Sequence, residues 1–75
     1  MIITAFLILM ETASNLGLLF HYGTDVEQDY EKAFKWYYKA AQQGHAKAQC
    51  NLGLLYSKGL GVPENKQAAI KWYSL

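Results

Sequence analysis

The sequence predicts an all-α fold, an α-α superhelix (solenoid) of about four helices arranged as antiparallel helix-turn-helix repeats. Three observations lead to this prediction. The 75-residue chain aligns with itself after a shift of 36 positions, which places Leu52 on Leu16. Apolar residues inside each unit recur at helical spacing. Glycines stand where the helices should end. Self-similarity at a period of about 20–50 residues is typical of solenoid units.

The internal repeat needs no gaps. The segment NLGLLF at residues 15–20 aligns with NLGLLY at residues 51–56, and KWY at 35–37 aligns with KWY at 71–73. We therefore divide the chain into three parts. Residues 1–12 form an apolar N-terminal extension that we expect to continue the first helix. Residues 13–44 form a first repeat, and residues 45–75 form a second repeat that is truncated.

The first helix of each unit is predicted from apolar residues spaced i, i+3, i+4. These residues are Leu16, Leu19 and Phe20 in one unit and Leu52, Leu55 and Tyr56 in the other. The two helices should end near Tyr22 and Ser57, because Gly23 and Gly59 can adopt the left-handed conformation that terminates helices. Gly61 and Pro63 then predict a loop in the second unit. Asp25 stands where the second unit has Gly61, and Asp visits the left-handed region more readily than most residues.

The second helix of each unit should begin after Asp29 and Asn65, whose side chains can accept hydrogen bonds from free backbone N–H groups. In the first unit it carries an apolar stripe at i, i+3, i+4, i+7, i+8: Ala33, Trp36, Tyr37, Ala40 and Ala41. We expect the ring of Trp36 to fill the core between the two helices. Gly17 and Gly53 should let the first helix come close to the second.

These residues resemble the Sel-1-like repeat, a relative of the tetratricopeptide repeat. The resemblance rests on the Leu-Gly, Gly-Val and Trp-Tyr pairs in order, covers about residue 13 to the end, and is best at 48–73. It implies a right-handed stack of antiparallel helix pairs that acts as an adaptor for protein complexes. The chain departs from the pattern at its ends. The first unit lacks the lead-in that residues 44–47 supply to the second, and the second stops before the Ala-Ala-x-x-Gly of the first.

Composition and motifs argue against several other functions. Seven basic and six acidic residues nearly cancel, so no single-sign field attracts nucleic acid. The lone Cys50 cannot form an intramolecular disulfide, and we expect it to be a small buried residue. His21, His45 and Cys50 lack the spacing of zinc ligands, and the acidic residues near Asp25 lack the rest of a calcium loop. No serine-nucleophile or phosphate-binding motif is present. We therefore predict neither catalysis, nor a cofactor, nor a metal site.

The first ten residues form the most apolar stretch of the chain. No basic residue precedes this run, no small-x-small cleavage site follows it, and it has about half of the roughly 20 residues that a membrane span needs. We therefore expect little membrane contact; the sequence leaves the location open and favours the cytoplasm. The alternative is a secreted or membrane-anchored protein in which this run is a signal.

The predicted function is binding of another protein or peptide, without catalysis. We expect the first helices to line a shallow concave face, into which seven residues off the Leu16/Leu19/Phe20 stripe should point: Asn15, Leu18, His21, Asn51, Leu54, Ser57 and Lys58. The alternative is a self-associating fragment of a longer array that assembles through residues 2–9, because large exposed apolar patches usually mark association sites. The contacts would then involve Ile2, Ile3, Phe6, Leu7 and Leu9.

Overall fold

Four helices follow one another along the part of the chain that the structure describes. The computed structural model describes residues 2–74, apart from the side chains of residues 2–4 and 6. The helices are α1 (Ile2–Tyr22), α2 (Tyr30–Gln42), α3 (Ala46–Lys58) and α4 (Lys66–Tyr73). Helix α1 packs on α2, α2 on α3, and α3 on α4. The predicted all-α architecture of helical hairpins is confirmed.

The two hairpins have the same turn. Gly23 and Gly59 have φ of 68° and 67°, and two residues later Asp25 and Gly61 have φ of 63° and 73°. The predicted glycine stops and the left-handed Asp25 are therefore confirmed. The same backbone bonds close both turns: Asp29 N–H donates to the Phe20 carbonyl at 2.9 Å, and Asn65 N–H donates to the Tyr56 carbonyl at 2.8 Å.

The predicted N-caps are also present. The Asp29 carboxylate accepts a hydrogen bond from the backbone N–H of Lys32 at 3.1 Å, and the Asn65 side chain accepts one from Ala68 at 3.0 Å. Both caps have extended backbone geometry. Each side chain thus satisfies one N–H group at the helix start that has no partner within the helix.

Small residues let the helices pack closely around one buried ring. Tyr37 is fully buried, and a Cβ atom added to Gly17 would lie 2.5 Å from its ring. This confirms the close approach predicted at Gly17, and Gly53 lies in the same way against Tyr73. The rest of the core consists mainly of alanines and of leucines from α3: Ala13, Ala33, Ala40, Ala41, Ala48, Leu52 and Leu55.

Two expectations about buried residues were wrong. Trp36 is only partly buried, and the adjacent Tyr37 fills the space that we expected the tryptophan ring to fill. One residue is a rotation of about 100° around a helix, which places Trp36 at the flank of the α1–α2 contact. Cys50 is exposed. Its equivalent Ser14 is buried and lines a groove together with Lys47 and Asn51 of α3. Cys50 lies beside Trp72 and Tyr73 of α4, but within residues 2–74 no later helix packs beside α3 as α3 packs beside α1.

The apolar N-terminal segment is helical and continuous with the first repeat. Helix α1 has 21 residues and α2 has 13, so α1 is about 12 Å longer at 1.5 Å per residue. Leu7, Ile8 and Leu9 are exposed by 49%, 57% and 67%. None of the helices within residues 2–74 combines the length and the apolar content that crossing a membrane requires.

Candidate protein-binding groove

A groove lies between the first helices of the two repeats, α1 and α3. Its volume is about 310 Å³. Asn15 and Leu18 line it from α1, and Asn51 lines it from α3. The structure thus brings together three of the seven residues that the sequence predicted for a binding face. Ser14 lines the groove as well and is buried, so the wall on the α1 side is closely packed.

The groove walls follow the 36-residue period. On α1 the lining positions 11, 15 and 18 are spaced i, i+4, i+7, and on α3 the lining positions 47 and 51 are the equivalents of 11 and 15. Residues at this spacing share one helix face. Asn15 and Asn51 therefore present carboxamide groups, each able to donate and accept hydrogen bonds, at the same register on neighbouring helices. Such a pair can bond to the N–H and C=O groups of a peptide backbone.

Four groove residues were not predicted. Glu11, Ser14, His45 and Lys47 also line the groove. Glu11 and Lys47 lie four residues before Asn15 and Asn51, so the helical spacing of the two asparagines could have identified them. They are equivalent positions with opposite charges, which places an acidic group on one wall and a basic group on the other.

His21 is placed differently from the prediction. Its side chain is only 8% exposed, and Nδ1 lies 3.1 Å from the hydroxyl of the buried Tyr37. The imidazole stacks on Tyr22 with ring centroids 4.6 Å apart and meets Tyr30 edge-on at 5.6 Å. His21 therefore belongs to the α1–α2 contact and does not point into the groove.

Burial sets the ionisation of this pair. Burial, together with the positive charge of Lys58, lowers the pKa of His21 from its ordinary value. Burial, with a smaller contribution from Tyr22, raises the pKa of Tyr37. At neutral pH both groups are therefore uncharged, and the tyrosine hydroxyl can donate a hydrogen bond to Nδ1.

The remaining predicted residues continue the α3 wall beyond the groove. Leu54 is half-buried and Lys58 is exposed, and both share the helix face of Asn51. Ser57 is half-buried and lies at the edge of that face. The arrangement offers amide groups, one aliphatic contact and charges of both signs. Within residues 2–74, no three His, Cys, Asp or Glu side chains lie close enough together to bind a metal ion.

Comparison with known protein families gives two adjacent matches. The Sel1 repeat matches residues 11–45 and again residues 46–75. The boundary between the matches falls at His45, just before α3 begins. No curated protein matches the chain.

Solved structures of two bacterial proteins are similar to this chain. A Sel1 repeat protein from Oxalobacter formigenes is 48% identical over 87% of this chain, with a TM-score of 0.85. The c5321 protein, described as a protective antigen of uropathogenic Escherichia coli strains that displays an SLR fold, is 42% identical over 87% of this chain, with a TM-score of 0.86. This chain spans 27% of the first structure and 14% of the second.

Proposed function

Because the chain belongs to the Sel1 repeat family, whose members generally serve as protein–protein interaction modules, we propose that it is an adaptor that binds an extended protein segment. The proposed site is the groove between α1 and α3. The observation that supports this most directly is the pair Asn15 and Asn51, which line one groove from equivalent positions on neighbouring helices.

The groove is suited to a peptide in three respects. Its carboxamides can pair with backbone groups whatever the peptide sequence. Leu18 is half-buried and offers an apolar contact on the α1 wall of the groove. Glu11 and Lys47 lie on opposite walls and can select the charge and direction of a bound segment. The same wall continues along α3 through Leu54 and Lys58, which lengthens the surface available to a partner.

Capture experiments test this proposal. The immobilised wild-type chain is compared with a Leu54→Ala/Lys58→Ala variant, and captured proteins are identified by mass spectrometry. We expect recovery of a specific partner to fall about tenfold or more, because Leu54 and Lys58 extend the groove wall along α3 and the loss of two contacts worth about 1 kcal/mol each exceeds a factor of ten.

The matched control is Ile70→Ala/Lys71→Ala, which removes the same side-chain types from exposed positions on α4. Circular dichroism must show unchanged helicity in both variants. If the control loses the partner as completely as the Leu54/Lys58 variant does, the α3 wall is not the binding surface.

A second candidate function, self-association, is favoured by the exposed apolar residues on the N-terminal extension of α1. Leu7 and Leu9 are two of the five residues expected to form such an interface, and both are exposed. The side chains of the other three, Ile2, Ile3 and Phe6, lie outside the described part of the structure. We propose this extension as the contact if the chain forms dimers or larger assemblies.

A further inference from the structure

Equivalent leucines in the two repeats differ in burial. Leu52 and Leu55 on α3 are fully buried, because α2 of the first repeat packs against that side of α3. Their equivalents on α1, Leu16 and Leu19, are only half-buried. The first repeat therefore has a surface of the same composition as the one that α2 covers in the second repeat, and within residues 2–74 no helix packs on it.

Aromatic contacts show how α2 covers the second repeat. Phe34 meets the ring of Tyr56 edge-on at 5.4 Å, and Tyr38 meets the ring of Trp72 at 6.0 Å. These two aromatic residues of α2 are four positions apart and so lie on one face of the helix. A helix with aromatic residues at i and i+4 is thus the natural complement of this kind of surface.

Lysines take the place of those aromatic contacts on the first repeat. The equivalents of Tyr56 and Trp72 are Phe20 and Trp36. The ammonium group of Lys32 lies 5.4 Å from the ring centre of Phe20, and that of Lys39 lies 4.9 Å from the ring centre of Trp36. Cations over rings that are partly open to solvent are held by only about 1 kcal/mol. An incoming aromatic group can therefore displace these lysines from the rings.

We call this surface the end face and define it by Leu16, Phe20, Lys32, Trp36 and Lys39. These residues line one depression, and further residues of α2 line it as well: Phe34, Lys35, Tyr38 and Gln42. Three of the seven basic residues of the chain are thus gathered at an apolar surface. A second depression of about 340 Å³ adjoins it at Trp36 and extends along α1 to Leu9.

We propose that the end face binds an amphipathic helix of a partner protein, with aromatic side chains at i and i+4 and acidic side chains beside them. A helix is expected as the partner because a helix, α2, covers the equivalent surface of the second repeat. Acidic side chains are expected on this partner because they can pair with the ammonium groups of Lys32, Lys35 and Lys39. This site is separate from the groove between α1 and α3 and does not depend on the function proposed there.

The probe is a synthetic peptide whose sequence is that of α2 with two changes. It comprises residues 30–42 with Lys35→Glu and Gln42→Glu, so that these positions and Glu31 form an acidic line beside Phe34 and Tyr38. A hydrocarbon staple joins positions 32 and 36, on the opposite face, because an isolated helix of this length is otherwise marginal in water. Binding of the fluorescently labelled peptide to the whole chain is measured by anisotropy.

We expect saturable binding that depends on both features of the end face. A Lys32→Glu/Lys39→Glu variant should weaken binding by about tenfold or more, because it opposes like charges. The matched control, Lys66→Glu/Lys71→Glu, makes the same change in net charge at exposed positions on α4 and should bind as the wild type does. A peptide with Phe34→Ala and Tyr38→Ala should bind at least about tenfold more weakly, since aromatic anchors dominate such contacts.

Three outcomes would overturn the proposal. The first is no binding of the stapled peptide at millimolar protein. The second is equal weakening by both charge variants, which would indicate non-specific attraction. The third is a loss of peptide binding as the concentration of the chain is raised, if Ile70→Glu prevents that loss. Ile70 is the equivalent on α4 of Phe34 on α2, so this result would assign the end face to α4 of a second copy. An Asn15→Ala/Asn51→Ala variant should bind the peptide normally, and its failure to do so would move the site to the groove.

Discussion

At the scale of single residues, the side chains that α1 buries between residues 7 and 22 are not the most hydrophobic ones of that stretch. Ala13, Gly17 and His21, spaced i, i+4, i+8, are buried together with Ser14, whereas Leu16 and Leu19 are only half-buried. Hydrophobicity alone predicts the opposite arrangement. Glycine is favoured at position 17 because the ring of Tyr37 occupies the space of a Cβ atom there. His21 can be buried because the hydroxyl of Tyr37 forms a hydrogen bond with its ring nitrogen. Such a contact depends on a partner helix that is distant in sequence.

We predict that Gly17→Ala destabilises the chain more than Gly53→Ala does. A Cβ atom at Gly17 would lie 2.5 Å from the fully buried ring of Tyr37, which cannot move away. Overpacking of this kind costs about 1–3 kcal/mol. At Gly53 the nearest atom is 2.8 Å away on Tyr73, but that ring is 51% exposed and can turn into solvent.

Chemical denaturation of the two alanine variants measures this difference. The gain in helix propensity from glycine to alanine, about 1 kcal/mol, is common to both sites and cancels in the comparison. Equal losses at the two positions would contradict the role assigned to Tyr37.

The lowered pKa of His21 predicts that the stability of the chain depends on pH. Because its pKa is lower in the folded chain than in the unfolded chain, the unfolded state takes up a proton first as the pH falls. The free energy of unfolding should therefore decrease as the pH falls from about 7.5 through 6.5, the ordinary pKa of histidine, and continue to decrease until the folded-state pKa is passed.

Thermal unfolding from pH 7.5 to pH 5 checks this prediction. The melting temperature of the wild type should decrease more over that range than that of the His21→Gln variant. A His45→Gln control should show the same decrease as the wild type. A wild-type profile that matches that of His21→Gln would mean that the imidazole near Tyr37 can accept a proton without cost.

At the scale of helices, local signals predicted most of the boundaries. The caps at Asp29 and Asn65 and the glycine stops at Gly23 and Gly59 were predicted, and the end of α3 differs by one residue, Lys58 instead of Ser57. These features depend on backbone groups within four residues, which the sequence displays directly. The exposure of Cys50 depends on which helices pack beside α3, and no local pattern contains that information.

Removal of one cap should have a measurable effect. Asp29→Ala leaves the Lys32 N–H without its side-chain acceptor and should cost about 1 kcal/mol, equivalent to a decrease of about 4–8 °C in melting temperature for a domain of this size. Glu27→Ala, which removes the same charge from an exposed position in the same turn, is the control. A similar decrease in both variants would attribute the effect to charge instead of to the cap.

At the scale of the whole molecule, the repeat predicted the groove better than it predicted individual contacts. The 36-residue repeat predicted that Asn15, Leu18 and Asn51 lie on the first helices of the two units, and all three line the same groove. It could not place His21, because Ser57 at the equivalent position faces no buried tyrosine. The two repeats share a sequence pattern, but each packs against different neighbours, and the burial of a residue depends on those neighbours.

The extension of α1 leads to a prediction about assembly. If Leu7 and Leu9 form an interface between copies, sedimentation of the purified chain should show a dimer or larger species, and Leu7→Glu/Leu9→Glu should convert it to a monomer by placing charges in that interface. Ile70→Glu, a charge at an equally exposed aliphatic side chain on α4, should leave the assembly intact. A wild-type chain that sediments as a monomer at all concentrations would exclude this interface.

The single junction between the two hairpins has a thermodynamic consequence. In a linear array, stability is approximately a sum of terms for each unit and for each contact between neighbours. Tyr30 beside Gly61, Phe34 on Tyr56 and Tyr38 on Trp72 form one such junction. Every further unit stacked at either end would contribute a whole junction while the number of open ends stayed the same. The cooperativity of unfolding in an array of such repeats should therefore increase with the number of repeats.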